Sequence, residues 1–272
     1  MALRPSLALR NSIAESGSLK RSLSNAVLKV YSGAQPATAE AAPTGTLLCT
    51  YSDASGALTR EVLPLGVVTL GQTGAGTGSV DTFTVNSLEI MGTAVASLAT
   101  ITLTTDAVVA MINHNPLNQL YTATNVAGVI TLSGKPGVGA LLNTKAISVG
   151  VTAGSNTVTQ AITSTTFGSG TGGGTAGVTA LNGLKWGDSA AGILSKHPTQ
   201  TWSGVAAATG TAGWFRFEAA VTDAGGVDST ESILRLDGSI ATSGSELNMS
   251  STAIVISATQ TVSSFQLTFP TA

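Results

Sequence analysis

The chain has 272 residues, enough for one large domain or two of ordinary size. Only 10% of the residues are charged, 4% are aromatic and 43% are hydrophobic, and the net charge is −2. The 12 basic residues are scattered and do not form the clustered cations that phosphate backbones require, so we expect no nucleic-acid partner. No apolar run reaches the roughly 18 residues that cross a bilayer, so we also expect no membrane partner.

The N-terminal segment has a spacing typical of an amphipathic helix. Leu7 and Ile13 belong to an apolar stripe that runs among charged residues from Ser6 to Leu23, and Gly17 weakens the helix. We predict a helical arm at residues 1–25, as one short helix or two pieces, whose stripe docks on a sheet or on a neighbouring subunit. Polar residues interrupt the apolar run, so a secretory signal is not expected.

Beyond residue 26, short runs of alternating apolar and polar residues predict β-strands. Residues 27–31 and 46–52 are the first two strands. The closing region, residues 199–272, repeats the pattern most clearly. There, residues 213–217 and 264–269 alternate with period two, which predicts a half-buried antiparallel sheet.

Two Gly-rich tracts divide the chain. Residues 71–79 and 168–177 have the composition of flexible linkers. They bracket a compact block, so we predict a small inserted α+β domain, mostly β, at residues 80–167. The host domain then combines residues 26–70 with 178–272, and antiparallel neighbours make a β-sandwich its leading architecture. The predicted fold class is therefore mainly β.

One segment of the inserted block has helical character. Residues 105–113 carry a threonine that can cap a helix and an aspartate near the positive helix end, and Pro116 follows the predicted stop. We therefore predict a helix that begins after Thr105. Residues 99–103, just before it, are predicted to form a strand.

Side chains suited to catalysis are scarce in the inserted block. An acid–base pair would draw on Glu89 and His114, but a glutamate on a strand is usually solvated and a histidine at a helix exit usually caps it. His114 and His197 lie far apart without companion acids, so we predict no metal site. The tract at 168–177 matches a dinucleotide-binding pattern in two registers, as low-complexity sequence does by chance. We predict no catalytic residue and no cofactor.

The acidic patch at residues 223–231 and the single cysteine have simple interpretations. The patch lacks the alternating ligands of an EF-hand, so a turn is preferred to the alternative of a calcium-binding loop. Cys49 lies in a strand-like run, without a nearby histidine or lysine, and is interpreted as a small buried hydrophobe.

The large aromatic residues of the host half are candidates for the core or for anchors of an interface. No cluster of Asp, Asn and aromatic residues accompanies them, which argues against a sugar platform. We name five candidate interface residues: Trp202, Trp214, Phe215, Leu7 and Ile13.

Segments of the host half resemble a widespread group of tailed-phage structural proteins. The matching segments, in chain order, are residues 27–36, 44–48, 210–216, the Arg-x-Asp-Gly motif at 235–238, and 247–255. Residues 84–90 and the helix after Thr105 are separately similar to small strand–helix–strand modules of phage tail and fibre proteins.

The resemblance implies a non-enzymatic protein that is located in the virion in many copies. Its partners would be other virion proteins of the capsid, connector or tail. It leaves open a capsid decoration position and a head–tail or collar position. The alternative is a tail-fibre or adhesin-type module that binds host-surface glycan or protein through the inserted domain, and an enzyme is the third choice. Exposed strand edges in a low-charge chain further predict a homo-oligomer.

Overall fold

The computed structural model describes residues 3–16, 18–73, 77–115, 118, 120–154, 158–161, 166–168 and 174–268. Gly17, residues 74–76 and 169–173 of the predicted linkers, and residue 269 of the closing strand lie outside the described residues. The helices are Leu7–Ser16 (α1), Leu19–Ser22 (α2) and Ile101–His114 (α3), with a 3-10 helix at Gly139–Leu142. The strands are Arg4–Pro5 (β1), Val27–Ser32 (β2), Leu47–Asp53 (β3), Leu65–Gln72 (β4), Ser79–Val85 (β5), Leu88–Glu89 (β6), Val95–Ala96 (β7), Tyr121–Val126 (β8), Val129–Gly134 (β9), Ile147–Thr152 (β10), Val158–Ala161 (β11), Ile193–Ser195 (β12), Trp202–Val205 (β13), Gly210–Glu218 (β14), Arg235–Ala241 (β15), Leu247–Asn248 (β16), Ala253–Ile254 (β17), Thr259–Val262 (β18) and Gln266–Thr268 (β19).

The chain divides into two compact units. Unit 1 combines Met1–Arg60 with Ala180–Ala272, and unit 2 is the continuous segment Glu61–Thr179. The first boundary lies ten residues before the predicted one at residue 70, because β4 pairs with β9 and β11 of unit 2. Similarly, the predicted arm at residues 1–25 is part of unit 1, since β1 pairs with β15.

Unit 1 is built on one large sheet. Its strands lie in the order β1-β15-β14-β2-β3-β13-β18, and all of these neighbours are antiparallel. The short strand β17 extends the sheet beside β14, and β16 pairs with β15 in parallel. A separate antiparallel ladder joins β12 to β19. Both ends of the chain therefore contribute neighbouring strands, so the sheet forms only after long-range pairing.

One face of this sheet carries the hydrophobic core of unit 1. Period two along β2 and β14 places Leu28, Val30, Phe215 and Phe217 on this face, and all four are fully buried. They join an aromatic cluster whose neighbouring ring centroids lie 5.2–6.1 Å apart, mostly edge to face, a favourable arrangement. The cluster consists of Trp186, Trp202, Phe215, Phe217 and Phe265.

Unit 2 has a smaller core between a helix and antiparallel strands. Its described strands form the sheets β10-β5-β6, with β7 beside β5, and β11-β4-β9-β8. Helix α3 packs on β8 through a face that includes the buried residues Val108 and Ile112. Phe83, Ile130 and Phe167 are fully buried in the same cluster. The mainly β fold class, with antiparallel sheets and a short N-terminal helix, is confirmed.

The start of α3 differs from the prediction. The helix begins at Ile101, and its N-cap is Thr100, whose hydroxyl accepts a hydrogen bond from the Leu103 N–H. Thr105, predicted to be the cap, lies inside the helix and donates its hydroxyl to the Ile101 carbonyl at 2.8 Å. The strand predicted at residues 99–103 is therefore wrong. β-branched threonines favour strands, but here their hydroxyls bond back to the preceding helical turn.

Candidate functional site

Three of the predicted interface residues lie in the interior of unit 1. Trp202, Trp214 and Phe215 are 0% exposed, so none of them offers surface to a partner. The interface assignment for these three is corrected to a core role. Trp202 belongs to the aromatic cluster, and its indole N–H donates to Gln200 Oε1 at 3.1 Å. Trp214 stacks on Tyr31 with ring centroids 4.5 Å apart, on the opposite face of the sheet.

The other two predicted interface residues lie on α1. Leu7 and Ile13 are each half-buried, and Ile13 packs against the core of unit 1. Leu9, on the same helix, is fully buried. A glutamate from a distant loop fixes the start of the helix, since Glu40 Oε1 accepts from the Leu7 N–H at 2.7 Å. The apolar stripe of α1 therefore docks mainly on its own sheet.

Charged residues line the second face of the large sheet. Cross-strand register places Lys29, Arg216 and Asp237 side by side in one row. Arg216 donates both Nε–H and Nη2–H to the two Asp237 oxygens at 2.7 Å, and both side chains are fully buried. In a neighbouring position, the buried Glu218 pairs with Lys29 at 2.7 Å and with Arg60 at 2.6 Å. We name this set, together with Arg235 and Asp223, the buried ionic layer.

The acidic patch at residues 223–231 provides the carboxylate that pairs with Arg235, the second arginine of this layer. Arg235 donates Nε–H and Nη2–H to the two oxygens of Asp223, both at 2.6 Å. Asp228 accepts from the Ile233 N–H at 2.7 Å and so closes a turn. The turn interpretation of residues 223–231 therefore describes this part of the chain better than a calcium loop, because the buried carboxylates face an arginine and backbone donors.

A loop covers the buried ionic layer. We call residues 33–46 the covering loop. Its backbone carbonyls accept hydrogen bonds from the layer: Arg235 Nη1 reaches Ala39 at 3.2 Å, and Arg216 Nη2 reaches Ala41 at 3.1 Å. The Trp214 indole N–H donates to Thr44 at 3.2 Å. The loop thus closes over the sheet, and the carbonyls of Ala39, Ala41 and Thr44 accept hydrogen bonds from side chains of the sheet.

The pairing of Asp223 predicts a pH dependence of stability. Burial alone would raise the pKa of Asp223, but hydrogen bonds from Arg235 and the Gly225 N–H, with the arginine charge, lower it below its ordinary value. A pKa lower in the folded than in the unfolded state means that the stabilisation is present above the ordinary carboxyl pKa and is lost as the pH falls through the folded value. We expect the free energy of unfolding of unit 1 to fall more steeply below about pH 4 in the wild type than in Asp223→Asn. Urea unfolding at several pH values measures this, and equal slopes would contradict it.

Glu89 and His114 lie at a common groove in unit 2. The groove has a volume of about 460 Å³ and also contacts Met91 and Met111. The carboxylate of Glu89 accepts backbone N–H groups from Phe83, Met91 and Gly92, the shortest at 2.8 Å. His114 Nδ1 lies 2.6 Å from the Ala110 carbonyl. Glu89 therefore holds a turn together, and its oxygens are committed to backbone donors.

Glu61 has a similar structural part in unit 2. It is 3% exposed, and its carboxylate accepts the N–H groups of Gly137 and Gly139, at 2.9 Å for Gly137. Glu61→Ala would leave these donors unsatisfied, and we expect it to lower the free energy of unfolding of unit 2 by about 2–4 kcal/mol. Hydrogen exchange of amides 137 and 139 measures the effect directly. Asp106→Ala, which removes an exposed carboxylate of the same unit, is the control; equal protection in Glu61→Ala and the wild type would contradict the assignment.

Three of the exposed large apolar residues of unit 1 lie close together. Val205, Val255 and Ile256 are 54–59% exposed. They are neighbours, because Val205 pairs with Thr259 and the Ile256 N–H donates to Thr209 Oγ1 at 3.0 Å. We call these three residues the apolar tip. The sequence contains these apolar residues, but a strand pattern does not distinguish exposed valines from buried ones, so it did not identify the tip.

Comparison with known proteins does not assign this chain to a family. No protein family, curated protein or solved structure matches it. Within the described ranges, no group of three or more His, Cys, Asp or Glu side chains is placed to hold a metal ion. No helix among these residues has both the length and the apolar character to cross a membrane. Cys49 is fully buried, and burial raises its pKa to about 11, which is typical of an unreactive thiol.

Proposed function

We propose that this chain is a non-enzymatic structural protein of a tailed-phage virion, present in many copies as a capsid decoration protein or as a head–tail or collar component. One observation carries the proposal. The segments that resemble phage structural proteins are distant in sequence, yet β2, β14 and β15, which belong to three of them, are adjacent strands of one sheet. These resembling segments therefore come together in one structural unit, unit 1.

The distribution of charge supports an assembly role. Unit 1 commits Arg216, Arg235, Glu218, Asp223 and Asp237 to internal ion pairs. These charges are not available to bind a polar ligand or a phosphate backbone. The remaining surface contains the uncharged apolar tip, and protein interfaces are depleted of charge at their centres.

Immunogold electron microscopy of purified particles tests the proposal and locates the protein. Antibodies against the whole chain are expected to label either the capsid surface at many points or the region between head and tail. Labelling of host cell debris but not of intact or partly disassembled particles would contradict the proposal.

A second function, binding of a host surface through unit 2, is favoured by one feature. A half-open groove of about 240 Å³ is lined by apolar side chains and has one cation, Lys145, at its edge. Two of its apolar residues, Leu88 and Leu141, are exposed. Adsorption of the full-length chain to host cells should fall in Leu141→Lys but not in Leu103→Lys, another exposed leucine, on α3, if this function is correct. Equal adsorption by both variants would argue against it.

A further inference from the structure

One edge of the large sheet in unit 1 has free backbone groups. In the described part of the chain, β18 is the last strand of the sheet. The Ala206 N–H donates to the Ala258 carbonyl, and Gly204 and Trp202 face Gln260 and Val262 in the same ladder. Because hydrogen-bonded pairs alternate in an antiparallel ladder, Thr259 and Thr261 direct their N–H and C=O groups away from β13.

Charged side chains, proline and a bulge, which often protect a sheet edge, are missing from β18, a strand of four residues. Natural edge strands carry charged residues, proline or a bulge that prevent pairing with another chain. β18 has the sequence Thr-Gln-Thr-Val and pairs with β13 without a break in register. Residues 198–215 and 247–272 contain no charged side chain, so no like charges on these segments would oppose the approach of a second copy.

The apolar tip lies at the start of the same strand. Val205 is the direct partner of Thr259, and the backbone of Ser257 donates to the Ala206 carbonyl. A strand added to the edge of β18 would therefore end close to exposed Val205, Val255 and Ile256. Burying exposed apolar area stabilises such a contact in addition to the backbone hydrogen bonds.

We propose that two copies of this chain associate by antiparallel pairing of β18 with β18 of the second copy. A second copy fits because the edge is self-complementary: Thr259 of each copy would face Thr261 of the other, with Gln260 on the two-fold axis. Both free threonine backbones would then be paired, and Thr–Thr neighbours stabilise a ladder. The inference deepens the multi-copy role proposed above, but its test needs no virus particle.

Sedimentation equilibrium of the full chain over the micromolar range tests the pairing. We expect a monomer–dimer equilibrium in the wild type. Thr261→Pro removes an outward N–H that the ladder to β13 does not use, so it should spare the fold and weaken the dimer about tenfold or more. Thr261→Ala keeps that N–H and is the matched control, with a much smaller effect. Tryptophan fluorescence verifies that both variants are folded.

Cross-linking tests the register. Gln260→Cys would face its own copy in a non-hydrogen-bonded pair, with Cα atoms about 4.5 Å apart, within disulfide reach. Mild oxidation should link this variant into dimers. It should not link Leu103→Cys, an exposed control in unit 2. The native Cys49 should not react, because it is buried. A wild-type chain that stays monomeric, a Thr261→Pro variant that dimerises like the wild type, or equal cross-linking of both cysteine variants would overturn the inference. If the chain is monomeric in solution but is found in virus particles, this pairing is overturned and the virion role is not.

Discussion

Replacing Arg235 with methionine is expected to lower the free energy of unfolding of unit 1 by about 3–5 kcal/mol. The guanidinium is fully buried and donates to both oxygens of Asp223, and it also reaches the carbonyls of Ala39 and Gly226. The methionine fills a similar volume but leaves the buried Asp223 carboxylate without its counter-charge, with the Gly225 N–H as its remaining donor, and leaves the carbonyls of Ala39 and Gly226 without the arginine. Loss of one partner from a buried pair costs more than the pair itself contributes, because the remaining charge is uncompensated.

Urea unfolding followed by tryptophan fluorescence measures this loss. All three tryptophans belong to unit 1, so the signal reports on that unit. Lys20→Met is the control, because the Lys20–Asp188 ion pair is exposed and its removal should change stability little. If Arg235→Met and the wild type unfold at the same urea concentration, the buried ionic layer does not stabilise the unit.

Replacing Trp202 with alanine is expected to lower the free energy of unfolding of the same unit by about 3–5 kcal/mol. The indole is fully buried and lies 5.3 Å from the ring of Trp186, edge to face. Its removal leaves a large cavity in the aromatic cluster and frees the Gln200 side chain from its indole donor. The structure thus assigns this residue to the core, whereas the sequence left core and interface open.

Circular dichroism during thermal unfolding measures the Trp202→Ala effect without relying on tryptophan emission. Val205→Ala, on the same strand but exposed, is the matched control and should stay within about 0.5 kcal/mol of the wild type. A Trp202→Ala variant that keeps its stability and loses only its association with partners would restore the interface interpretation.

The strand pattern was enough to predict most of the fold class. Alternation in residues 27–31 and 213–217 indicated strands, and β2 and β14 form there. The N-terminal helix was predicted from its apolar stripe, and it forms as α1 and α2. Local patterns of this kind depend on neighbouring residues, so a single sequence contains them.

The buried ionic layer could not be predicted from the same pattern. The alternation of Phe215, Arg216, Phe217 and Glu218 is typical of a half-buried strand whose charged face meets water. In the structure both faces are covered, because residues 33–46, far away in sequence, lie over the charged side. Period two identifies the two faces of a strand, but it does not say which loop covers them.

The boundary of unit 2 was displaced for a related reason. Glycine-rich composition marked residues 71–79 as a linker, yet Gly71 and Gln72 end β4 and pair with β11. Glycine is permissive in a strand as well as in a linker, so the choice depends on whether a partner strand is available. The partner lies almost ninety residues later, beyond the reach of a local pattern.

Quantitative mass spectrometry of washed, gradient-purified particles tests the central proposal most directly. The proposal predicts that this chain copurifies with the major capsid protein at a fixed ratio that corresponds to several copies per particle. Its absence from washed particles, or a ratio that varies between preparations as a contaminant would, contradicts a structural role in the virion.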